Sequence, residues 1–240
     1  MKIIEKIMKQ QKERKVEDSI TIVCLGDSVT EGCFECYINE AGNIATVYDR
    51  INSYSAKLQA LLALLYPTVQ INIINSGKSG GWACDGAAAL ERNVLAFHPD
   101  LVIVSYGLND SYGKEKGIEK YKAALRTIFE KISATGAEII FLTENYMCTK
   151  VSPYLHDQIM IDLAQEISDR QNTGILEMYF EAAKEVCRDY DVPVCDLYNM
   201  WKLMDRADVN VTELLSNKLN HPVREYHNYI AIKLLEMILA

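Results

Sequence analysis

Four segments far apart in this chain carry the side chains best suited to act together. Gly26-Asp27-Ser28-Val29-Thr30-Glu31-Gly32 places a serine beside glycine, just past an apolar run and before a helical one. A serine in such a turn presents its hydroxyl outward, and its own backbone N–H can face an oxyanion. The hydroxyl alone is a poor nucleophile and needs a base. Asn220-His221-Pro222 supplies an imidazole at the mouth of the last helix. Asn75-Ser76-Gly77-Lys78-Ser79-Gly80-Gly81-Trp82 contains the glycines that let backbone N–H groups approach a ligand, and Gly107-Leu108-Asn109-Asp110 adds the Asn109 amide. Nucleophile, base and oxyanion donors are the parts needed for acyl transfer. Singly, each has an ordinary reading: Ser28 or Asp27 as a helix cap, Asn109-Asp110 as a turn pair, His221 as a loop residue. What singles them out is that all four lie at strand or helix ends.

Apolar runs over 19–25, 69–75, 101–106, 137–142 and 192–195 predict five strands. They are nearly continuous rather than alternating, as in parallel strands covered on both faces. Residues 53–66 predict a helix stopped by Pro67, and Tyr121, Leu125, Ile128 and Ile132 one that ends near Gly136. Val223, Tyr226, Ile230, Leu234 and Ile238 make one stripe on a last helix begun by Pro222. Repeated β-α-β units give a three-layer α/β/α sandwich with a mostly parallel five-stranded sheet. With no repeat or flexible linker, the expectation is a single domain over 1–240, with 1–18 as an N-terminal helical extension and 144–175 as an insertion over the site. Ligands of open α/β sheets bind beyond the carboxyl ends of the strands, where the motifs above fall.

Composition narrows the class. Of 240 residues, 49% are hydrophobic and 24% charged, which excludes disordered and fibrous chains. A net charge of −8 disfavours nucleic acid and anionic membrane surfaces as partners. No run approaches the ~20 apolar residues of a membrane span, so no stable membrane association is expected. The start, MKIIEKIMKQQKERK, lacks the apolar core and cleavage site of a signal peptide. Seven cysteines, an odd number, point to reduced thiols and a cytoplasmic location.

These blocks resemble the SGNH (GDSL) hydrolase family. Gly26 to Thr30 looks like its first block with the nucleophile at Ser28, and Asn75 to Trp82 like the second with an oxyanion glycine at Gly80. Gly107 to Asp110 looks like the third with Asn109 as the oxyanion amide, and His221-Pro222 like the block that carries the base. The resemblance covers about 195 residues. It implies a flavodoxin-like fold and ester hydrolysis through an acyl-enzyme, without metal or organic cofactor, with Asp27 bracing the loop. The expected substrate is a small carboxylic ester, short acyl or O-acetyl, on a carbohydrate among others. Alternatives on the same scaffold are a lysophospholipase, a thioesterase, or a weakened or non-catalytic carbohydrate binder.

One position departs from the family pattern. Three residues before its histidine the family usually carries an aspartate; here Lys218 stands there. Either a backbone carbonyl or Asn217 orients His221, or a carboxylate folds in from Asp205, Asp208 or Glu213, or the enzyme is weakened. The first is favoured, because orienting the imidazole is part of the aspartate's task.

Competing motifs are weaker. Gly77-Lys78-Ser79-Gly80-Gly81 fits G-x-S-x-G with Ser79 as nucleophile, but one strand precedes it where that elbow needs several. Gly77-Lys78-Ser79 also ends like a P-loop, yet Asn72 occupies the position of the required first glycine. Cys33 and Cys36 form a lone C-x-x-C with no second pair and read as free thiols at the pocket rim. His98 and His156 read as surface loop residues, and His227 as a surface or partner-facing one. Trp82, Tyr106, Tyr112 and Asn145 border the expected mouth and are the candidate substrate contacts, with core or rim packing the ordinary reading for any single one of the aromatics.

Overall fold

The computed structural model describes residues 1–13 and 19–240. In chain order the elements are helix α1 (Lys2–Glu13), strand β1 (Ile20–Gly26), helix α2 (Ser28–Glu31), strands β2 (Cys33–Ile38) and β3 (Ile44–Tyr48), helix α3 (Tyr54–Leu65), strand β4 (Ile71–Gly77), helices α4 (Ala83–Ala88) and α5 (Leu90–Asn93), strand β5 (Leu101–Ser105), helix α6 (Lys114–Ser133), strand β6 (Glu138–Leu142), helices α7 (Gln158–Asn172) and α8 (Ile175–Asp189), strand β7 (Val194–Cys195), and helices α9 (Leu197–Arg206) and α10 (Arg224–Leu239). Residues 14–18 of the N-terminal extension lie outside the described residues.

The five strands expected from the apolar runs pair in the order β4-β1-β5-β6-β7, every pair parallel. Alternate residues of each strand serve two cores. Ile20, Ile22, Cys24, Ile103 and Ile140 pack under α1, α3 and α10 with Ile3, Ile7, Leu58, Leu62, Ile230 and Leu234. Val23, Leu25, Val102, Val104 and Phe141 pack under α4, α6 and α8 with Leu90, Leu125, Ile128 and Tyr179. Covering both faces explains why the strand sequences run apolar without alternation. A third core, built from Met147, Cys148, Met160, Ile167, Phe180, Tyr198, Trp201 and Leu219, joins α7, α8 and α9 to the loops that follow β6 and precede α10.

From β1 the chain crosses to β4 at one edge, then returns past β1 to β5. The carboxyl ends of β1 and β5 therefore flank the point where the strand order changes direction, the usual binding crevice of open α/β sheets. The β1–β4 crossover is interrupted by an antiparallel hairpin, β2–β3, outside the main sheet. The apolar runs did not reveal this hairpin, because Tyr37, Ile44, Val47 and Tyr48 on it are exposed and give no core pattern.

Helix α10 corrects one expectation. Its buried stripe is His227, Ile230, Ala231, Leu234 and Ile238, so His227 is a core residue rather than a surface one. It lies one turn before Ile230 and Ala231 and thus on the same face. Its Nδ1 accepts from the N–H of Tyr54 at 3.0 Å, and its ring centroid is 4.9 Å from that of Phe34. Burial pulls its pKa down to about 3, so it is neutral. Among the described residues no helix is long and apolar enough to cross a membrane.

Candidate active site

Strand β1 delivers Ser28 to the crevice. Gly26, at its end, lies so close to the next turn that a Cβ there would sit 2.2 Å from Thr30 Oγ1 and 2.6 Å from the Ser105 carbonyl. Only glycine permits that approach. Asp27 caps α2, its Oδ1 accepting from the N–H of Val29 at 2.9 Å, and Ser28 begins the helix.

His221 arrives from the turn before α10, and its Nε2 lies 3.0 Å from Ser28 Oγ. Asn217 ties that turn together, its Oδ1 accepting from the N–H groups of Leu219, Asn220 and His221 at 3.0, 2.9 and 2.9 Å. Ser216 donates to the His221 carbonyl at 2.7 Å through its backbone N–H, and the Asn145 amide donates to the Asn220 carbonyl at 2.8 Å. The imidazole itself is oriented from elsewhere: Nδ1 lies 2.9 Å from the carbonyl oxygen of Phe34 on β2. A carbonyl only accepts, so the proton sits on Nδ1 and the lone pair of Nε2 faces the serine hydroxyl. Burial pulls the His221 pKa down to about 4, opposed by the Phe34 carbonyl and the charge of Glu35.

Across from the hydroxyl is the loop after β4. Gly80 has a left-handed φ of +72°, which glycine adopts without strain. The loop is anchored by the Lys78 N–H on the Gly26 carbonyl at 3.0 Å and the Ser79 N–H on Glu31 Oε2 at 2.7 Å. Among the described residues, the N–H groups of Ser28 and Gly80 have no protein acceptor. Asn109 is different. Its Nδ2 donates to Asp27 Oδ2 and to the Gly81 carbonyl, both at 3.0 Å, so both amide protons are spent on bridging the first and second loops.

Below the serine loop is a buried pair of acids. Glu144, just past β6 and 2% exposed, accepts from the Leu108 N–H at 3.0 Å and faces Asp27, which is wholly buried. Burial and then the Asp27 charge hold the Glu144 carboxyl well above its usual range, so it keeps its proton and donates it to Asp27. Burial also pushes Asp27 up to about 6. Nearby, Asp110 accepts from the Ala83 N–H at 3.0 Å and is raised by burial to about 7.

The remaining candidates separate. Trp82 precedes α4 with its ring edge toward Gly113, and Tyr112 is 37% exposed with the Arg170 guanidinium 3.4 Å over its ring. Both stay at the rim. Tyr106 does not: it shares a face with Val102 and Val104, so its ring packs in the core against Gly86. Asn145 is 1% exposed and is spent on the Tyr146 and Asn220 carbonyls, bracing the histidine turn from inside rather than lining a mouth. Cys33 is buried at the base of the hairpin and not at the rim, whereas Cys36 Sγ lies 3.5 Å from the Asn217 amide; both are free. Ser79 is engaged through its N–H with Glu31 and not by an imidazole. Lys218 pairs with Glu213 at 2.9 Å, and so neither of them orients His221. Among the described residues no cluster of three or more His, Cys, Asp or Glu side chains is placed to hold a metal ion.

The profile of the GDSL-like lipase/acylhydrolase family matches residues 24–227, a span that begins in β1 and ends just past His221. The chain belongs to that family. Among relatives of this GDSL-like chain, an acetylxylan esterase of Geobacillus stearothermophilus is 28% identical over 142 residues, which are 55% of this chain and 63% of the relative. The match thus spans somewhat less than two thirds of that relative's length. The crystal structure of an acetylxylan esterase from Geobacillus stearothermophilus superposes with a TM-score of 0.66 at 20% identity, covering 93% of this chain and 96% of the other. An α/β hydrolase from the metagenome of Lake Arreo, Spain, gives 0.66 at 19% identity, covering 93% and 98%. These two likenesses establish the shared α/β fold of this GDSL-like chain.

Three groups at the site have no counterpart in the sequence motifs. Phe34 contributes a carbonyl, which any residue carries, so no sequence signal marks it. Arg224 acts through an ion pair with a residue far off in the chain. Glu144 had a usable signal, being an acid directly past an apolar strand in one of the loops where ligands gather.

Proposed function

We propose that this GDSL-like chain is a serine-dependent carboxylic ester hydrolase acting on short acyl esters, with O-acetyl groups on carbohydrate as the leading substrates. The observation that carries the reading is the 3.0 Å approach of His221 Nε2 to Ser28 Oγ across 193 residues of sequence. In this mechanism His221 takes the hydroxyl proton as Oγ attacks the ester carbonyl carbon. The N–H groups of Ser28 and Gly80 receive the oxyanion. The Asn109 amide, the third donor expected from the family, holds the Asp27 and Gly81 loops at the spacing those two donors need. The tetrahedral intermediate collapses as His221 passes its proton to the leaving alcohol. Water, deprotonated by the same imidazole, then releases the acyl group from Ser28.

The imidazolium formed on the way has the Phe34 carbonyl on Nδ1 instead of a carboxylate. A neutral acceptor fixes the tautomer but stabilises the positive charge less than an ionised acid does. Turnover is therefore expected below that of a full Ser-His-Asp site. Acetylated carbohydrate is favoured by the acetylxylan esterase relative and by the acidic balance, which disfavours anionic lipid aggregates.

A fluorophosphonate probe tests the nucleophile: wild type is labelled at Ser28, and Ser28→Ala is not. A p-nitrophenyl ester series from acetate to octanoate then ranks chain lengths, with acetate turned over fastest. Faster turnover of the long esters supports the lysophospholipase or thioesterase alternative instead. Absence of both labelling and turnover leaves a carbohydrate binder, which Lys218 at the acid position favours.

A further inference from the structure

The acid missing beside His221 leaves a physical problem. A backbone carbonyl orients an imidazole only as well as its own strand is held, and Phe34 belongs to a two-stranded hairpin outside the sheet. Such hairpins are marginal by themselves. Something must fix this one against the histidine turn.

Arg224 makes the contacts required. It lies three residues after His221, in the first turn of α10. Its Nη1 and Nη2 donate to the two carboxylate oxygens of Glu35 at 2.5 and 2.9 Å, a bidentate fork, and its Nε donates to Asp49 Oδ2 at 2.6 Å. Glu35 is the residue after Phe34 on β2, and Asp49 directly follows β3, where its N–H closes the hairpin on the Gly32 carbonyl at 2.8 Å. One guanidinium therefore grips both strands. It also lies 4.3 Å over the Phe34 ring, whose other neighbour is the buried ring of His227, with centroids 4.9 Å apart. The Phe34 ring thus has Arg224 and His227 as partners while its carbonyl meets the imidazole. A cation in the first turn of a helix is disfavoured by the helix dipole, so the position is set by these contacts and not by helix preference.

We propose that Arg224 is the positioning residue that replaces the absent acid, clamping the hairpin through Glu35 and Asp49 so that the Phe34 carbonyl holds His221 in its productive tautomer. This deepens the hydrolase reading and rests on it for its catalytic consequence, though not for its structural one. Glu35 has a second part in the device. Arg224 keeps its carboxyl below the usual range, so it stays ionised and favours the imidazolium of His221. The charged groups that act on the neighbouring neutral His227 are Lys57, Arg224 and Asp49.

The test reads the imidazole directly. In ¹⁵N spectra of the whole chain, with His221→Asn used only to assign the signal, wild-type His221 shows the Nδ1–H form. Arg224→Met converts that signal to a mixture of tautomers, and Arg224→Lys, which keeps a charge but loses the fork, gives an intermediate mixture. Glu35→Gln lowers the His221 pKa. On p-nitrophenyl acetate, Arg224→Met lowers kcat by ~10–10²-fold with KM within about twofold, the range expected from misplacing a catalytic group. The double variant with Glu35→Gln loses less than the two single losses combined, because both act through one clamp. An unchanged Nδ1–H signal in both Arg224→Met and Arg224→Lys overturns the proposal, whatever the activity. A shifted tautomer in a protein whose wild type shows no Ser28-dependent turnover keeps the clamp and rejects the hydrolase reading. Arg224→Lys serves alone should Arg224→Met fail to fold.

Discussion

His221 Nδ1 and the carbonyl oxygen of Phe34 are 2.9 Å apart, and this contact takes the place a carboxylate holds in a serine triad. Burial leaves the imidazole a weak base, its pKa pulled down to about 4 against the opposing effect of the Phe34 carbonyl. In the proposed mechanism the imidazole must be neutral to take the serine proton. The acid limb of kcat/KM is therefore expected near pH 4, well below the ordinary histidine value, with a plateau through neutrality. A pH–rate profile on p-nitrophenyl acetate checks this, and an acid limb at pH 6.5–7 would contradict it.

Lys218 stands where the family usually has its acid, yet its ammonium is paired with Glu213 at 2.9 Å and donates to the Glu213 carbonyl at 3.1 Å. Its φ is +59°, in the left-handed region. Lys218→Asp puts a carboxylate beside Glu213 while Nδ1 remains occupied by Phe34. The expected result is turnover within a few-fold of wild type and a lower Tm. A large rise in kcat would mean that the new carboxylate reaches the imidazole.

Asn109 spends both amide protons on Asp27 and the Gly81 carbonyl. Asn109→Ala leaves a buried carboxylate oxygen unpaired and frees the Gly80 loop. Loss of a single oxyanion donor costs ~10²–10³ in kcat, and leaving a buried polar group unsatisfied costs ~1–3 kcal/mol of stability. Both effects are expected here, read by steady-state kinetics and thermal unfolding. A drop in kcat with Tm unchanged would show that the amide faces the oxyanion and is not a strut.

Glu144 is held protonated by burial and by Asp27. A carboxyl whose folded pKa is raised binds its proton more tightly in the native state. Its contribution is full below the unfolded value near 4.3 and declines as pH rises toward the folded pKa. In the window above pH 6.5 the two lowered histidines, His221 and His227, no longer oppose this slope. Wild-type Tm should fall across that window. Glu144→Gln, which still donates to Asp27 and accepts from Leu108, should flatten the fall and leave kcat within about threefold, since the sharing of the hydrogen bond survives. Tm measured at intervals across the window decides it; an equally steep fall in Glu144→Gln removes the acid pair as the cause.

Apolar runs such as 101–106 were enough to place a parallel five-stranded sheet, because strands buried on both faces must be apolar throughout. The glycine- and serine-rich turns after β1, β4 and β5, with His221 before the last helix, were legible for a similar reason: close approach and left-handed backbone restrict residue type locally. The hairpin at Cys33–Ile38 and Ile44–Tyr48 was not legible, being half exposed and without a periodic pattern. His227 lies in the core and not at the surface because burial depends on which face a helix presents, and one turn changes that face. Tertiary structure alone decided what orients the base. A main-chain carbonyl carries no residue signature, and the Arg224 fork joins residues 189 positions apart. Contacts of that kind exist only once the sheet has brought distant loops together, so local composition cannot announce them.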